Sequence, residues 1–180
     1  MTYVCLLRGV NVGGHSKLPM AEFRCLLAGI GATAVSTYIQ SGNAAFEHAE
    51  SDTGKIAAWV TEALLEEGCS QVGVLVVNLA DFAAIVDAQP FPSEHAAEAR
   101  QLYVGFLLAI LRSEMPSSVA PPPNVGADEF ALGDGAVYLR CPNGFGRTKL
   151  NGAFFERALG APVTFRNWRT VQALLKMAGE

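Results

Sequence analysis

Apolar residues recur at two different spacings in the first half of the chain, and the order of these spacings predicts its secondary structure. Short apolar runs indicate strands, whereas Phe23, Leu27 and Ile30 follow the three-to-four-residue spacing of a buried helix face. The pattern predicts strand, helix, strand, strand, helix and strand at residues 3–8, 19–30, 34–40, 43–48, 54–67 and 72–77. This β-α-β-β-α-β order is that of the split βαβ unit found in ferredoxin-like folds.

The second half repeats this order after a connecting helix, which is predicted at residues 79–88 behind an Asn78 N-cap. Thr148 and Asn167 are predicted to cap the last two helices. A strand is predicted at residues 101–110 and a weak helical turn at 112–117. The two hairpin strands follow at 129–132 and 136–141, then a helix at 149–159, a strand at 163–165 and a final helix.

We therefore expect an α+β fold that is a tandem duplication of ferredoxin-like units plus a C-terminal helix. The predicted domains are a first unit at residues 1–78, a connecting helix and linker at 79–100, and a second unit at 101–180 that includes the C-terminal helix. The first strand is apolar on both faces, since Val4 and Leu6 alternate with Tyr3, Cys5 and Leu7. Both faces of its sheet are expected to be covered, in part by the other half.

Composition and charge narrow the classes of protein that this chain can be. With 180 residues, 51% of them hydrophobic, it is long enough for a real core. No apolar run reaches the length of a membrane span, and a signal peptide is not indicated, so a soluble, cytoplasmic protein is expected. The net charge of −4 conceals an acidic stretch at residues 44–98 and a basic one at 140–180.

The four cysteines are expected to be free thiols. They are far apart in sequence, without the spacing of a zinc site, and no metal site is predicted. Cys5 and Cys25 are expected to be buried as small hydrophobic residues.

A glycine-rich segment between the first strand and the helix that begins near Pro19 is the first candidate site. Arg8 and Lys17 flank it with positive charge, and its glycines include Gly13 and Gly14, which let a backbone approach a bound anion. The segment is similar to a P-loop, but the helix begins too late and no Walker-B aspartate follows a strand, which disfavours nucleotide hydrolysis. A purely structural loop is the open alternative.

Three other polar segments extend the candidate site. Residues 38–43 form a turn rich in amides and hydroxyls, residues 143–149 have the composition of an anion-receptive helix start, and residues 166–170 offer arginine forks. We expect loops from both halves to converge on one cleft. Its predicted ligand-binding residues are Arg8, Asn11, Gly13, Gly14, Lys17, Gln40, Ser41, Asn43, Lys149, Arg166 and Asn167.

These residues favour a binding protein for a small anionic or nucleotide-like ligand, with two alternatives left open. One is an enzyme of unknown reaction that uses the same pocket, with His15 or Lys17 as the proton-transfer group. The other is a structural or interaction module without a small ligand. The three histidines form no triad or metal spacing, and His48 and His95 are expected to be solvated. RNA binding is disfavoured because the basic aromatic signature is absent and the chain is acidic. The sequence indicates no catalytic residue, cofactor or oligomeric state.

Three motifs also carry a family resemblance. The segments at residues 6–14, 38–43 and 166–168, together with Pro19 and Met20, resemble a bacterial family of uncharacterised proteins, domain of unknown function family 1697. The resemblance implies an α+β fold of two ferredoxin-like units. It implies no established activity, substrate or catalytic residue.

Overall fold

The computed structural model describes residues 1–11, 17–92, 96–108, 116 and 118–180. Gly13, Gly14, His15 and His95 lie outside the described residues, as does most of the helical turn predicted at 112–117. The described chain divides into two compact units, Met1–Ala83 with Ala173–Glu180, and Ala84–Gln172.

The first unit has the predicted β-α-β-β-α-β order. Its elements are β1 (Thr2–Arg8), α1 (Met20–Gly29), β2 (Thr33–Thr37), β3 (Asn43–Glu47), α2 (Thr53–Glu66) and β4 (Gly73–Asn78), and α3 (Leu79–Asp87) follows. The strands form an antiparallel sheet in the order β2-β3-β1-β4, in which Leu6 pairs with Asn43 and Arg8 with Gly73.

The core of the first unit lies between its sheet and the helices α1 and α2. Tyr3, Cys5 and Leu7 of β1 point into a cluster that includes Phe23 and Ile56 of the two helices. The opposite face of β1 is buried as well, as the two-faced apolar pattern predicts, because Val4 and Leu6 have no exposed surface. The end of the last helix of the chain lies beside this second face, where Met177 and Ala178 line a pocket with Thr2 and Ala45.

The second unit repeats the sheet arrangement with different residues. Its elements are α4 (Ala96–Ala99), β5 (Leu102–Leu107), β6 (Glu129–Gly133), β7 (Ala136–Arg140), a 3-10 turn (Phe145–Arg147), α5 (Gly152–Leu159), β8 (Val163–Asn167) and the start of α6 (Trp168–Gly179). The antiparallel strand order is β6-β7-β5-β8, with Tyr103 paired with Asn167. An aromatic cluster fills one side of this sheet, and Phe165 lies 5.1 Å from Phe145 and 5.9 Å from Phe155 between ring centroids.

Helix starts follow the predicted caps at two positions and differ at one. Asn78 and Asn167 accept hydrogen bonds from the amides of Asp81 and Thr170, each at 2.8 Å, as expected of N-caps. The prediction that Thr148 caps a helix from residue 149 is wrong, because α5 begins at Gly152 and Asn151 caps it. Thr148 instead accepts from the amide of Leu150 at 3.0 Å, in a turn that precedes the helix.

The boundaries between the units differ from the predicted ones in two places. The division falls between Ala83 and Ala84, inside α3, whereas the predicted boundary of the first unit lies after residue 78. The last residues, Ala173–Glu180, belong to the first unit, whereas the whole C-terminal helix was expected in the second. The described parts of both units contain no helix that is long and apolar enough to cross a membrane.

Burial of the Tyr138 phenol is expected to lower the stability of the second unit at alkaline pH. The Tyr138 hydroxyl donates to the carbonyl of Ile85 at 2.8 Å, and burial, with a smaller contribution from Asp134, raises its pKa from 10 to about 12. Between these values the folded state retains a proton that the unfolded state has lost, so the free energy of unfolding falls as pH rises. This rise in the Tyr138 pKa corresponds to about 2–3 kcal/mol of stability that is lost by pH 12.

We therefore expect Tyr138→Phe to be the less stable protein at pH 8 and to become the more stable one near pH 12. Urea denaturation of both proteins at several pH values from 8 to 12 measures this difference. The burial-raised pKa of the Cys141 thiol, about 11, affects both proteins equally and cancels. A constant difference in stability across the pH series would contradict the prediction.

Candidate functional site

The side chain of Asn11 joins the two ends of the glycine-rich loop to the turn between β2 and β3. Its Nδ2 donates to the carbonyls of Leu18 at 3.0 Å and Gln40 at 2.8 Å, while its Oδ1 accepts from the amide of Leu18 at 2.9 Å. Asn11 has a φ of 55°, a left-handed conformation that asparagine tolerates better than most residues. We call this region the Asn11 junction, comprising residues 8–11, 17–18 and 38–43.

The turn at residues 38–43 is fixed by its own asparagine and glycine. Asn43 has no exposed surface, and its Nδ2 donates to the carbonyl of Tyr38 at 3.1 Å and the hydroxyl of Ser41 at 2.9 Å. Gly42 has a φ of 69°, and a Cβ built on it would lie 2.5 Å from the Leu7 Cβ. Asn43 therefore shapes the turn from inside. The turn exposes Ile39 and Gln40 to solvent, and Tyr38 and Ser41 are partly exposed.

Two cationic side chains border the Asn11 junction. Arg8 ends β1 and is half-buried, and Lys17, adjacent to the tethered Leu18, is exposed. The Asn11 hydrogen bonds hold the segments that carry Arg8, Lys17, Gln40 and Ser41 at one edge of the first sheet. The structure thus places these four predicted residues in one region, while Gly13 and Gly14 lie outside the described residues.

The three predicted residues of the second unit have intramolecular partners. Lys149 donates from Nζ to the carbonyl of Pro123 at 3.0 Å. Arg166 is buried, and its Nη1 donates to the Thr164 hydroxyl at 2.8 Å and to the Phe165 carbonyl at 2.9 Å. Asn167 is exposed and caps α6. Convergence of these residues with the Asn11 junction on one cleft stays a prediction.

The helix start that was expected to attract anions between residues 143 and 149 is not located there. Because α5 begins at Gly152, Arg147 and Lys149 precede its first turn instead of flanking it. Arg147 lies in the 3-10 turn, whose cap Gly144 provides no side chain for hydrogen bonding. The cations of this segment therefore lack the helix terminus that was expected to support them.

His48 is a structural residue that sequence reasoning misplaced. It was expected to be solvated, but it is buried, and its Nδ1 accepts from the amide of Glu50 at 2.9 Å while its Nε2 lies 3.0 Å from the carbonyl of Ile30. With Nδ1 as the acceptor, Nε2 carries the proton and donates. The expectation for Cys25 is also wrong, since its side chain is exposed, whereas Cys5 is buried as predicted.

The described residues contain no group of three or more His, Cys, Asp or Glu side chains placed to hold a metal ion. The groups whose pKa burial raises furthest, Tyr138 and Cys141, belong to the second unit. The Asn11 junction itself presents cations, amides and a hydroxyl, which are hydrogen-bond donors suited to anionic oxygens.

Comparison with known proteins identifies a matching family and a similar solved structure. A family model described as "Protein of unknown function (DUF1697)" matches residues 1–138. A solved structure titled as that of the conserved bacterial protein SP0830 from Streptococcus pneumoniae is similar, with 20% identity and a TM-score of 0.69, covering 98% of each chain. At this identity the likeness concerns the fold alone. No curated protein matches the chain.

Proposed function

We propose that this chain, which belongs to the DUF1697 family of proteins of unknown function, binds a small anionic or nucleotide-like ligand at the Asn11 junction. The observation that carries the proposal is the set of three Asn11 hydrogen bonds, which holds a cation-flanked loop against an amide-rich turn. A site whose parts are already fixed loses less conformational entropy when a ligand binds.

The proposed contacts divide into donors and positioning residues. Arg8 and Lys17 supply charge, and Gln40 and Ser41 supply neutral hydrogen bonds to phosphate or carboxylate oxygens. Asn11 and Asn43 position these groups, because their own amides are bonded within the junction. Gly13 and Gly14 would add backbone donors, and Lys149, Arg166 and Asn167 would contribute if the two units form one cleft.

The proposal includes a fold of tandem ferredoxin-like units. Support comes from the same strand pattern in both units, since β2-β3-β1-β4 and β6-β7-β5-β8 place corresponding strands in corresponding positions. A duplicated unit of this kind provides two equivalent sets of loops, of which the junction uses the first.

A thermal-shift screen tests the binding proposal. The wild type is heated with inorganic phosphate, adenosine monophosphate, glucose 6-phosphate or a short RNA, beside Lys17→Ala and Arg166→Ala. A ligand at about 100 times its dissociation constant stabilises the folded state by about 2.7 kcal/mol. For a chain of this size we expect a rise of about 5–10 °C in the melting temperature, and its loss in Lys17→Ala.

Lys55→Ala is the matched control for this experiment. Lys55 is also an exposed lysine of the first unit, but it pairs with Glu50 at 3.4 Å, beyond the end of β3 opposite the junction. The shift should persist in this variant. No shift with any compound, or equal losses in both lysine variants, would overturn the proposal, and a shift with RNA alone would reassign the site to nucleic acid. Retention of the shift in Arg166→Ala would confine the site to the first unit.

A further inference from the structure

A groove between α1 and α2 crosses the outer surface of the first unit. Two adjoining pockets of about 360 Å³ each form it, and they share Gly29, Ile30, Ala63 and Glu66. The lining extends from Glu22 to Ile30 along α1 and its C-cap, which is about 12 Å at 1.5 Å per residue. This α1–α2 groove is thus long enough for two turns of a helix.

The floor of the α1–α2 groove is apolar and one of its walls is aromatic. Leu26, Ile30 and Ala63 are only partly buried. Ile30 and Ala63 line the same pocket as Trp59, which is 38% exposed. Exposed tryptophan next to aliphatic side chains is typical of surfaces that bind protein partners.

The wall of the groove is held in place before any partner arrives. The His48 ring lies 5.6 Å from the Trp59 ring, between centroids. His48 is itself anchored to the carbonyl of Ile30 and the amide of Glu50. These contacts connect the end of α1 to Trp59 of α2, so the groove needs little reorganisation to accept a partner.

The rim of the α1–α2 groove is uniformly acidic. Glu22, Glu62, Glu66 and Glu67 line it, and the described lining contains no basic side chain. None of these four carboxylates forms an ion pair within the described part of the chain. Glu62 and Glu66 are four residues apart on one helix, where like charges repel, so a cationic partner would relieve this repulsion.

We infer that the α1–α2 groove docks a basic amphipathic segment of a partner protein, with one or two apolar side chains on the floor and Lys or Arg side chains against the rim. The occupant follows from charge complementarity, because the floor accepts apolar anchors while the rim requires positive charge. A second copy that presented the same groove would place glutamates against glutamates. This docking surface is separate from the ligand proposed at the Asn11 junction.

A pair of synthetic peptides tests the inference. The first is a 14-residue helical peptide with Leu at helical spacing and Lys elsewhere, and the second replaces every Lys with Glu. At about 0.15 M salt, where surface charges more than about 8 Å apart are screened, we expect the Lys peptide alone to bind. Fluorescence anisotropy of labelled peptide gives the dissociation constant, and ¹⁵N-resolved spectra should locate the shifted amides on α1 and α2.

Two matched pairs of variants distinguish binding in the groove from nonspecific electrostatic attraction between the basic peptide and the acidic protein. A Cβ on Gly29 meets no atom within 4 Å, so Gly29→Ala leaves the groove open, whereas Gly29→Phe fills it. Reversing Glu62 and Glu66 to Lys opposes the peptide charge, and Asp87→Lys is the control on the exposed end of α3. We expect Gly29→Phe and the double reversal to weaken binding about tenfold or more, and the two controls to remain within about twofold of the wild type.

Three results would overturn the inference. The first is the absence of peptide binding at millimolar concentration, and the second is equal weakening by Asp87→Lys and by the groove reversal. The third is concentration-dependent self-association that Gly29→Phe abolishes, which would assign the groove to a second copy. Because Gly29→Ala and Gly29→Phe share one backbone site, a folding defect in the larger variant is visible by comparison, and the charge reversals test the groove independently.

Discussion

Replacing Gly42 with alanine should destabilise the first unit by about 3 kcal/mol, the largest effect that we expect from a single added methyl group. The new Cβ would lie 2.5 Å from the Leu7 Cβ and 2.7 Å from the Val10 Cγ1, inside the distance that real Cβ atoms keep. Overpacking of this kind costs about 1–3 kcal/mol. The φ of 69° adds about 1–2 kcal/mol for any residue with a side chain.

Gly68→Ala separates these two contributions. Gly68 has a similar φ of 78°, but a Cβ there meets nothing within 4 Å. Its substitution should cost only the conformational part, about 1 kcal/mol. Urea denaturation followed by tryptophan fluorescence gives both values. Equal losses of stability in the two variants would show that the close contact with Leu7 and Val10 does not destabilise Gly42→Ala.

The second large effect is expected at Asn11, whose replacement by alanine should cost about 3–4 kcal/mol. The substitution removes three hydrogen bonds, each worth about 1 kcal/mol, from Leu18 and Gln40. It also places alanine at a φ of 55°, at a further cost of about 1 kcal/mol. Urea denaturation measures the change.

Asn124→Ala is the matched control, because Asn124 is exposed and has a φ of 59°. Asn124→Ala should lose only the stability that alanine costs at a positive φ, about 1 kcal/mol. Asn11→Asp is a second probe, since it retains the acceptor for the Leu18 amide but places a carboxylate oxygen opposite two carbonyls. If Asn11→Ala lost no more stability than Asn124→Ala, the Asn11 hydrogen bonds would not hold the junction, and the proposed binding site would lose its main support.

The secondary structure of the first unit could be predicted because it depends on the local spacing of apolar residues. Strand and helix positions in the first unit follow the alternation and the three-to-four-residue spacing of its apolar residues. The same spacing predicts that Cys25 faces away from the core, because Cys25 is two positions from the buried residues Phe23 and Leu27 of α1. The wrong expectation for Cys25 came from its apolar character, which its helical position overrides.

The start of α5 could not be decided from composition. Thr148 and Asn151 are both good N-caps, only three residues apart. The buried side chain of Leu150 lies between them, in a segment that precedes the helix. Which residue caps the helix therefore depends on tertiary packing of the chain just before it.

Side-chain roles were harder to predict than elements. His48 binds two backbone groups, at Ile30 and Glu50, and the sequence does not show where backbone atoms meet. The amide of Asn11 suits a ligand and a loop tether equally well, because the same donors and acceptor serve both. Residue type shows that these side chains can form hydrogen bonds, and only the fold shows which partner is used.

The assignment of Ala173–Glu180 to the first unit has a consequence for synthesis on the ribosome. Chains emerge from the amino-terminal end at about 5–20 residues per second, and domains generally fold as they appear. Here the first unit must wait for residues 84–172 before its last segment is made, so Thr2 and Ala45 lack Met177 and Ala178 in the meantime. The nascent chain thus carries an unfinished sheet surface for several seconds, during which chaperones and neighbouring chains have access to it.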